Sequence, residues 1–214
     1  MGLGLRAMIL LESEAVLAQG VAWLADHDAG MAQIAASLPL PPLRRKPQGF
    51  ASLLNAITGQ QVSTASAAAI WGRIEAAGLI TPEAVLLAGE DGLRAVGLSR
   101  PKIRYALAIA ASGLDFASLA DLPDEEVIAR LVALPGIGRW SAEIYATTAL
   151  GRPDILPAGD LALQEAARLL YRLDARPKEL AFRAMGQAWS PWRGVAARLL
   201  WSFYRAETNK EGLA

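Results

Sequence analysis

Apolar residues recur at helical spacing along almost the whole chain, and the interruptions are short joins built from Gly and Pro. A period of 3.6 residues puts one apolar stripe on each segment, and Ala and Leu lose little on entering a helix. Alternation of β-branched and polar residues, the mark of a half-buried strand, is rare. The spacing predicts helices over 13–26, 30–38, 48–60, 63–77, 91–96, 100–112, 123–132, 137–150, 160–170, 177–186 and 191–208. Ser13 is placed to cap the first of them. A further short helix starts at Thr81-Pro82-Glu83, a cap residue followed by proline at the first helical position. Pro39, Pro41 and Pro42 end the second segment, and a basic loop, Arg44-Arg45-Lys46, follows. The expected fold class is all-α, a compact bundle of many short helices. A length of 214 residues holds one domain or two tightly joined ones, with no low-complexity stretch, fixed-period repeat or long linker.

Composition removes whole classes of chemistry. There is no cysteine, so disulfides, thiol catalysis, Cys-ligated zinc and iron–sulfur clusters are excluded. With His27 as the one histidine, a His-rich metal site or a Ser–His–Asp triad is a poor fit, and His27 itself takes no role. What remains is carboxylates, hydroxyls, amines, amides and aromatic rings. Lys and Arg number 21 against 21 Asp and Glu, but the balance hides a polarity. Residues 1–36 carry one basic residue against four acidic, a net −3, while residues 168–205 carry eight against two, a net +6. Such a basic third can supply the counterion-release part of DNA binding. Residues 1–11 are apolar but lack a basic start and run into Glu12 and Glu14, so they do not read as a signal peptide. No apolar run approaches the roughly 18 residues of a spanning helix, and a cytoplasmic protein without a membrane partner is the expectation.

The most informative segment is Leu134-Pro135-Gly136-Ile137-Gly138-Arg139-Trp140-Ser141-Ala142, which joins two predicted helices. The two glycines permit backbone geometry closed to other residues and a close approach by a second backbone. The first amides of the following helix are unpaired and carry its positive dipole end, so this corner can hold a phosphate without side-chain charge. Read without its surroundings, the same segment is equally an ordinary helix–helix corner. Downstream, Pro157-Ala158-Gly159-Asp160 opens the next apolar helix. Asp160 is an N-cap by position, and that duty is compatible with stabilising a developing cation or orienting a water.

Together these residues resemble the helix-hairpin-helix, Gly/Pro-rich loop and aspartate signature of the endonuclease III-like DNA glycosylase superfamily, and within it the AlkA-type 3-methyladenine DNA glycosylase II family. The resemblance extends to Gly59-Gln60-Gln61-Val62-Ser63, to Gly97-Leu98-Ser99-Arg100-Pro101-Lys102, and to Trp189-Ser190-Pro191-Trp192-Arg193 with Trp201, over about residues 44–206. It implies one helix-hairpin-helix glycosylase unit over 1–214, hairpin at about 124–150, with two helical subdomains flanking a cleft and without the N-terminal β-rich domain of larger relatives. It implies that Asp160 is the catalytic residue in hydrolysis of the N-glycosidic bond of an alkylated base in double-stranded DNA. Trp140 stands where bifunctional relatives place a Schiff-base lysine, which implies a monofunctional enzyme. Trp140 and Trp201 match pocket tryptophans for the extruded base, while the family's pocket tyrosine is replaced by Ile144. Gln60 and Gln61 match the loop that fills the vacated place, Gly136, Gly138 and Arg139 the DNA-gripping hairpin. The carbonyls of Val132, Leu134 and Ile137 match a Na+ or K+ site, and no other cofactor is implied. 3-Methyladenine leads the implied substrates, followed by 7-methylguanine and hypoxanthine, and the simplest assembly is a monomer acting on the nucleoid.

Two other readings compete: a non-catalytic, lesion-scanning protein with the same hairpin, and a small helical scaffold with an accidental Pro-Gly-Ile-Gly turn. A pure binder has no need of a carboxylate in the loop at Asp160, and that residue favours catalysis.

Overall fold

The computed structural model describes residues 9–211; the first eight residues of the N-terminal stretch read above as no signal peptide lie outside them. Eleven α-helices and no strand occur among the described residues: α1 (Glu14–His27), α2 (Ala29–Ser37), α3 (Phe50–Thr58), α4 (Thr64–Ala76), α5 (Pro82–Ala95), α6 (Arg100–Ala110), α7 (Asp124–Val132), α8 (Arg139–Thr148), α9 (Leu161–Leu170), α10 (Glu179–Met185) and α11 (Arg193–Glu211). Short 3-10 turns at Ser118–Asp121 and Gly186–Trp189 were not foreseen. No described helix is long and apolar enough to cross a membrane.

The caps read from the sequence form. Ser13 accepts the Val16 N–H at 3.3 Å and Thr81 accepts the Ala84 N–H at 3.2 Å. The segments expected at 81 and 91–96 are two helical stretches, here numbered together as α5, and the chain leaves helical geometry between them at Gly89 (φ 59°, ψ −162°). Glycine alone takes that conformation cheaply, so the kink is written at Gly89.

The chain divides into two compact units, residues 1–45 with 151–214 and residues 46–150. The first unit surrounds a core of Leu17, Leu24, Met31, Ile34, Leu163, Phe182, Trp189, Val195 and Leu200, with α11 packed on α1, α2 and α9. Asp28 organises its polar interior. The carboxylate caps α2 through the Met31 N–H (2.9 Å) and accepts from the Tyr171 hydroxyl (2.9 Å) and the Trp189 indole N–H (3.0 Å). Burial and the Asp28 charge together push the Tyr171 phenol far above its ordinary range. Asp28→Ala is expected to cost about 3 kcal/mol, the sum of a lost cap and of hydrogen bonds to a charged acceptor. A urea melt with unchanged slope checks this; a loss of a few tenths of a kcal/mol would show the network to be incidental.

In the second unit α3 packs on α4, α6 and α8, α5 on α6, and α7 on α8. Leu53, Leu54, Ile57, Val85, Leu93, Ile103, Ile128, Leu131 and Ala146 are buried in it.

Candidate functional site

In the second unit, α7 ends at Val132, the Ile137 N–H closes a turn on the Leu134 carbonyl (3.1 Å), and α8 begins at Arg139 rather than at residue 137. Gly136 has φ 82°, and a Cβ there would collide with the ring of Tyr105 from α6. Gly138, the N-cap of α8, differs. Its backbone is extended (φ −83°, ψ 167°), nothing in the chain lies within 4 Å of where a Cβ would stand, and no side chain caps the helix. The sequence reading gave both glycines one reason, but only Gly136 needs a left-handed backbone and room for a neighbour. At Gly138 the open space lies outside the protein, where a ligand atom can approach the first amides of α8.

Arg139, expected at DNA, engages the hairpin's own carboxylates. Its Nε donates to Glu143 Oε1 at 2.9 Å and a terminal nitrogen to both Glu125 oxygens at 3.0 and 3.1 Å, bracing α8 against α7. Trp140 follows on the first turn of α8 and is 42 % exposed, uncommon for the largest apolar side chain. With Gln60, Gln61, Ile144, Asn55 and Lys46 it lines a cavity of about 290 Å³, near the lower end of small-molecule sites at about 300 Å³. The structure thus brings three expected residues, Gln60, Gln61 and Trp140, around one space.

The loop carrying the two glutamines is held in a defined shape. The Gln60 side-chain amide donates to the Gly136 carbonyl at 3.0 Å, tying loop to hairpin. Gln61 is exposed and left-handed, with φ 54°. A non-glycine residue there carries about 1–2 kcal/mol of strain, and such strain gathers at functional positions. Asn55 was missed by the sequence reading; its signal was the one amide side chain on α3. Tyr145, beside Ile144, is buried and accepts the Gly49 N–H at 2.9 Å; burial raises its phenol while the Gly49 bond pulls the other way. It is a packing residue.

In the first unit, the loop 151–160 leads to Asp160. Asp154 is gripped by Arg193, whose Nε and a terminal nitrogen donate to it at 2.7 and 2.9 Å, and by the Ser190 hydroxyl at 2.8 Å. Gly194 N–H donates to the Pro153 carbonyl at 2.6 Å, and the loop carbonyls leave no room for a Cβ on Gly194. The Trp-Ser-Pro-Trp-Arg segment therefore anchors the loop. At its far end the Gln164 amide holds the Ala158 carbonyl (2.8 Å), and Asp160 caps α9 through Oδ1, accepting the Ala162 and Leu163 N–H groups at 3.0 and 3.1 Å. The half-buried carboxylate is thus positioned by two bonds to one oxygen.

Trp201, on α11, is half-buried against the first unit's core. The Arg44 guanidinium lies over its ring, 5.9 Å from the centroid, on a left-handed backbone with φ 52°. The face of Trp201 thus already receives a cation. Burial, and then the neighbouring Arg205, lower the pKa of the Arg44 guanidinium, and burial with Arg44 and Arg45 pushes that of the buried Arg198 down to about 10. Among the described residues no group of three or more His, Cys, Asp or Glu could hold a metal ion. The carbonyl donors at Val132, Leu134 and Ile137 are of another kind. The turn closed by Ile137 N–H on Leu134 lies among them, and an uncharged all-oxygen set suits a singly charged ion.

The model of the HhH-GPD superfamily, described as base excision DNA repair proteins, matches residues 54–191. DNA-3-methyladenine glycosylase 1 of Schizosaccharomyces pombe is 32% identical over 165 residues, which is 73% of this chain and 72% of that protein. A crystal structure of DNA-3-methyladenine glycosidase from Bacillus halodurans superposes with a TM-score of 0.80 at 32% identity, covering 94% of each chain. A 3-methyladenine DNA glycosylase of S. pombe, solved in complex with abasic DNA, gives 0.74 at 28% identity, covering 86% of this chain and 95% of that one.

Proposed function

The chain belongs to the HhH-GPD superfamily of base excision DNA repair proteins, and from that membership we propose that it is a monofunctional glycosylase that hydrolyses the N-glycosidic bond of alkylated bases in double-stranded DNA. 3-Methyladenine is the leading substrate, with 7-methylguanine and hypoxanthine after it. The observation that carries the reading is Asp160, held as a cap at the end of an anchored loop. A base alkylated on a ring nitrogen is already a good leaving group. As its bond to the sugar breaks, the sugar gains oxocarbenium character, which the Asp160 carboxylate stabilises while orienting the attacking water.

The other residues take roles around that step. Gly136 and Gly138 let the hairpin meet the DNA backbone, where the α8 amides receive a phosphate. Gln61 enters the stack as the base leaves, with Gln60 fixing the loop. The exposed indole of Trp140 offers an electron-rich face to the extruded, cationic base; Trp201, whose ring already receives Arg44, is given that role by resemblance alone. A Na+ or K+ ion would be held by the carbonyls of Val132, Leu134 and Ile137, adding positive charge near the phosphate. The protein acts as a monomer in the cytoplasm, on nucleoid DNA.

The indole of Trp140 has no amine with which to form a Schiff base, so the product is an intact strand with an abasic site. Duplexes carrying 3-methyladenine, 7-methylguanine or hypoxanthine test this directly. Free base should appear, no strand break should accompany it before alkali, and borohydride should trap no covalent complex. DNA binding without base release from any lesion would leave the lesion-scanning reading in its place.

A further inference from the structure

Lys102 has no part in the reaction as described, yet it is 8 % exposed, and burial lowers the pKa of its ammonium. A buried ammonium is costly unless it meets acceptors. Its Nζ donates to the Thr58 carbonyl at 2.8 Å. Thr58 is the last residue of α3, so this carbonyl belongs to the negative end of the helix, where a cation is favoured. The next residues are Gly59, Gln60 and the left-handed Gln61, and Ser63 then caps α4.

One turn further along α6, the Tyr105 ring fills the space beside Gly136, whose carbonyl receives the Gln60 amide. Lys102 and Tyr105, three residues apart, stand on one face of α6. A single turn of this helix therefore touches both the root of the glutamine loop and the glycine of the hairpin. A left-handed glutamine persists only where its surroundings over-determine it, and these tethers fix the loop on either side of its free tip.

We propose that Lys102 is a positioning residue for base extrusion: by holding the Thr58 carbonyl it sets the root of the loop, so that Gln61 enters the helix in the shape that fills the vacated place. The inference rests on the glycosylase reading above and adds to it the residue that readies the wedge. Lys102 acts through Gln61 and leaves the chemical step at Asp160 untouched.

The test compares two substrates with the full-length protein under single-turnover conditions: the lesion in a normally paired duplex, and the same lesion opposite an abasic site, where extrusion needs little help. Lys102→Met keeps the length of the side chain and removes its charge. It is expected to slow release from the paired duplex about tenfold, the scale of one lost hydrogen bond to a charged group, and to change release from the unpaired lesion by less than about twofold. Because each variant supplies its own ratio, a lowered melting temperature does not disguise the result. Gln61→Ala should show the same selectivity, and the double variant should be no slower than Gln61→Ala alone. Lys102→Gln, with a neutral donor, should fall between, and it serves in place of the Met variant if that one does not fold. Equal losses on both substrates, no loss on either, or losses that multiply in the double variant would overturn the proposal. If the wild type releases base from neither substrate, the glycosylase reading itself has failed, and that outcome is separate.

Discussion

Asp160→Asn is expected to slow base release by at least about 10²–10³-fold, the value of one preorganised electrostatic contact in a transition state, while the protein still folds and binds DNA. The substitution keeps the cap because of how the residue is held. Oδ1 accepts both cap bonds, from Ala162 and Leu163. Asparagine offers an equivalent oxygen and ranks with aspartate as an N-cap, so α9 loses at most a few tenths of a kcal/mol. Asp160→Ala removes cap and charge together and adds about 1 kcal/mol of instability. Single-turnover release of 3-methyladenine, with a melt of each variant, separates the two effects. An Asn variant that releases base at the wild-type rate would remove Asp160 from the chemistry and leave it a cap.

The second large effect separates the two hairpin glycines. Gly136→Ala must place a side chain at φ 82° and against the Tyr105 ring, at a combined cost of about 2–4 kcal/mol. Gly138→Ala meets no neighbour within 4 Å and keeps an ordinary extended backbone, so its cost is at most the roughly 1 kcal/mol lost on placing alanine at an N-cap. Its consequence falls on DNA. A methyl group at the mouth of α8 stands where the phosphate would approach, and affinity should drop about tenfold, the scale of one phosphate contact. Urea melts and duplex binding at matched salt give both numbers. If Gly138→Ala binds like the wild type, the phosphate does not sit on this helix end.

Much of this was readable from residue types. Ser13 and Thr81-Pro82 mark helix starts because capping is local, settled within four residues. Asp160 could be picked out as a cap for the same reason, whereas its role in the reaction came only with the family resemblance. The interactions that escaped are those joining residues far apart in the chain. Asp28 counted only as one charge of an acidic segment, yet its partners Tyr171 and Trp189 lie 143 and 161 positions away. Lys102 was legible only as the end of a short motif, because its partner is a backbone carbonyl 44 residues earlier, and carbonyls have no sequence. Arg139, expected at DNA, also pairs with Glu125, a partner on the preceding helix that the motif does not show. Left-handed backbone at Gln61 and Arg44 is equally invisible, since neither residue type announces it.

The division of the chain also bears on how the protein comes into being. The unit that holds Asp160 is assembled from residues 1–45 and 151–214, whereas the unit with the hairpin is the uninterrupted stretch between them. On the ribosome, at roughly 5–20 residues per second, the hairpin unit is complete while the opening helices still lack their partners α9 and α11. Leu17, Leu24, Met31 and Ile34 then have no core to enter until α9 and α11 emerge. A chain arrested between residues 161 and 192 therefore holds a complete hairpin unit, while the loop that leads to Asp160 still lacks its anchors Arg193 and Gly194.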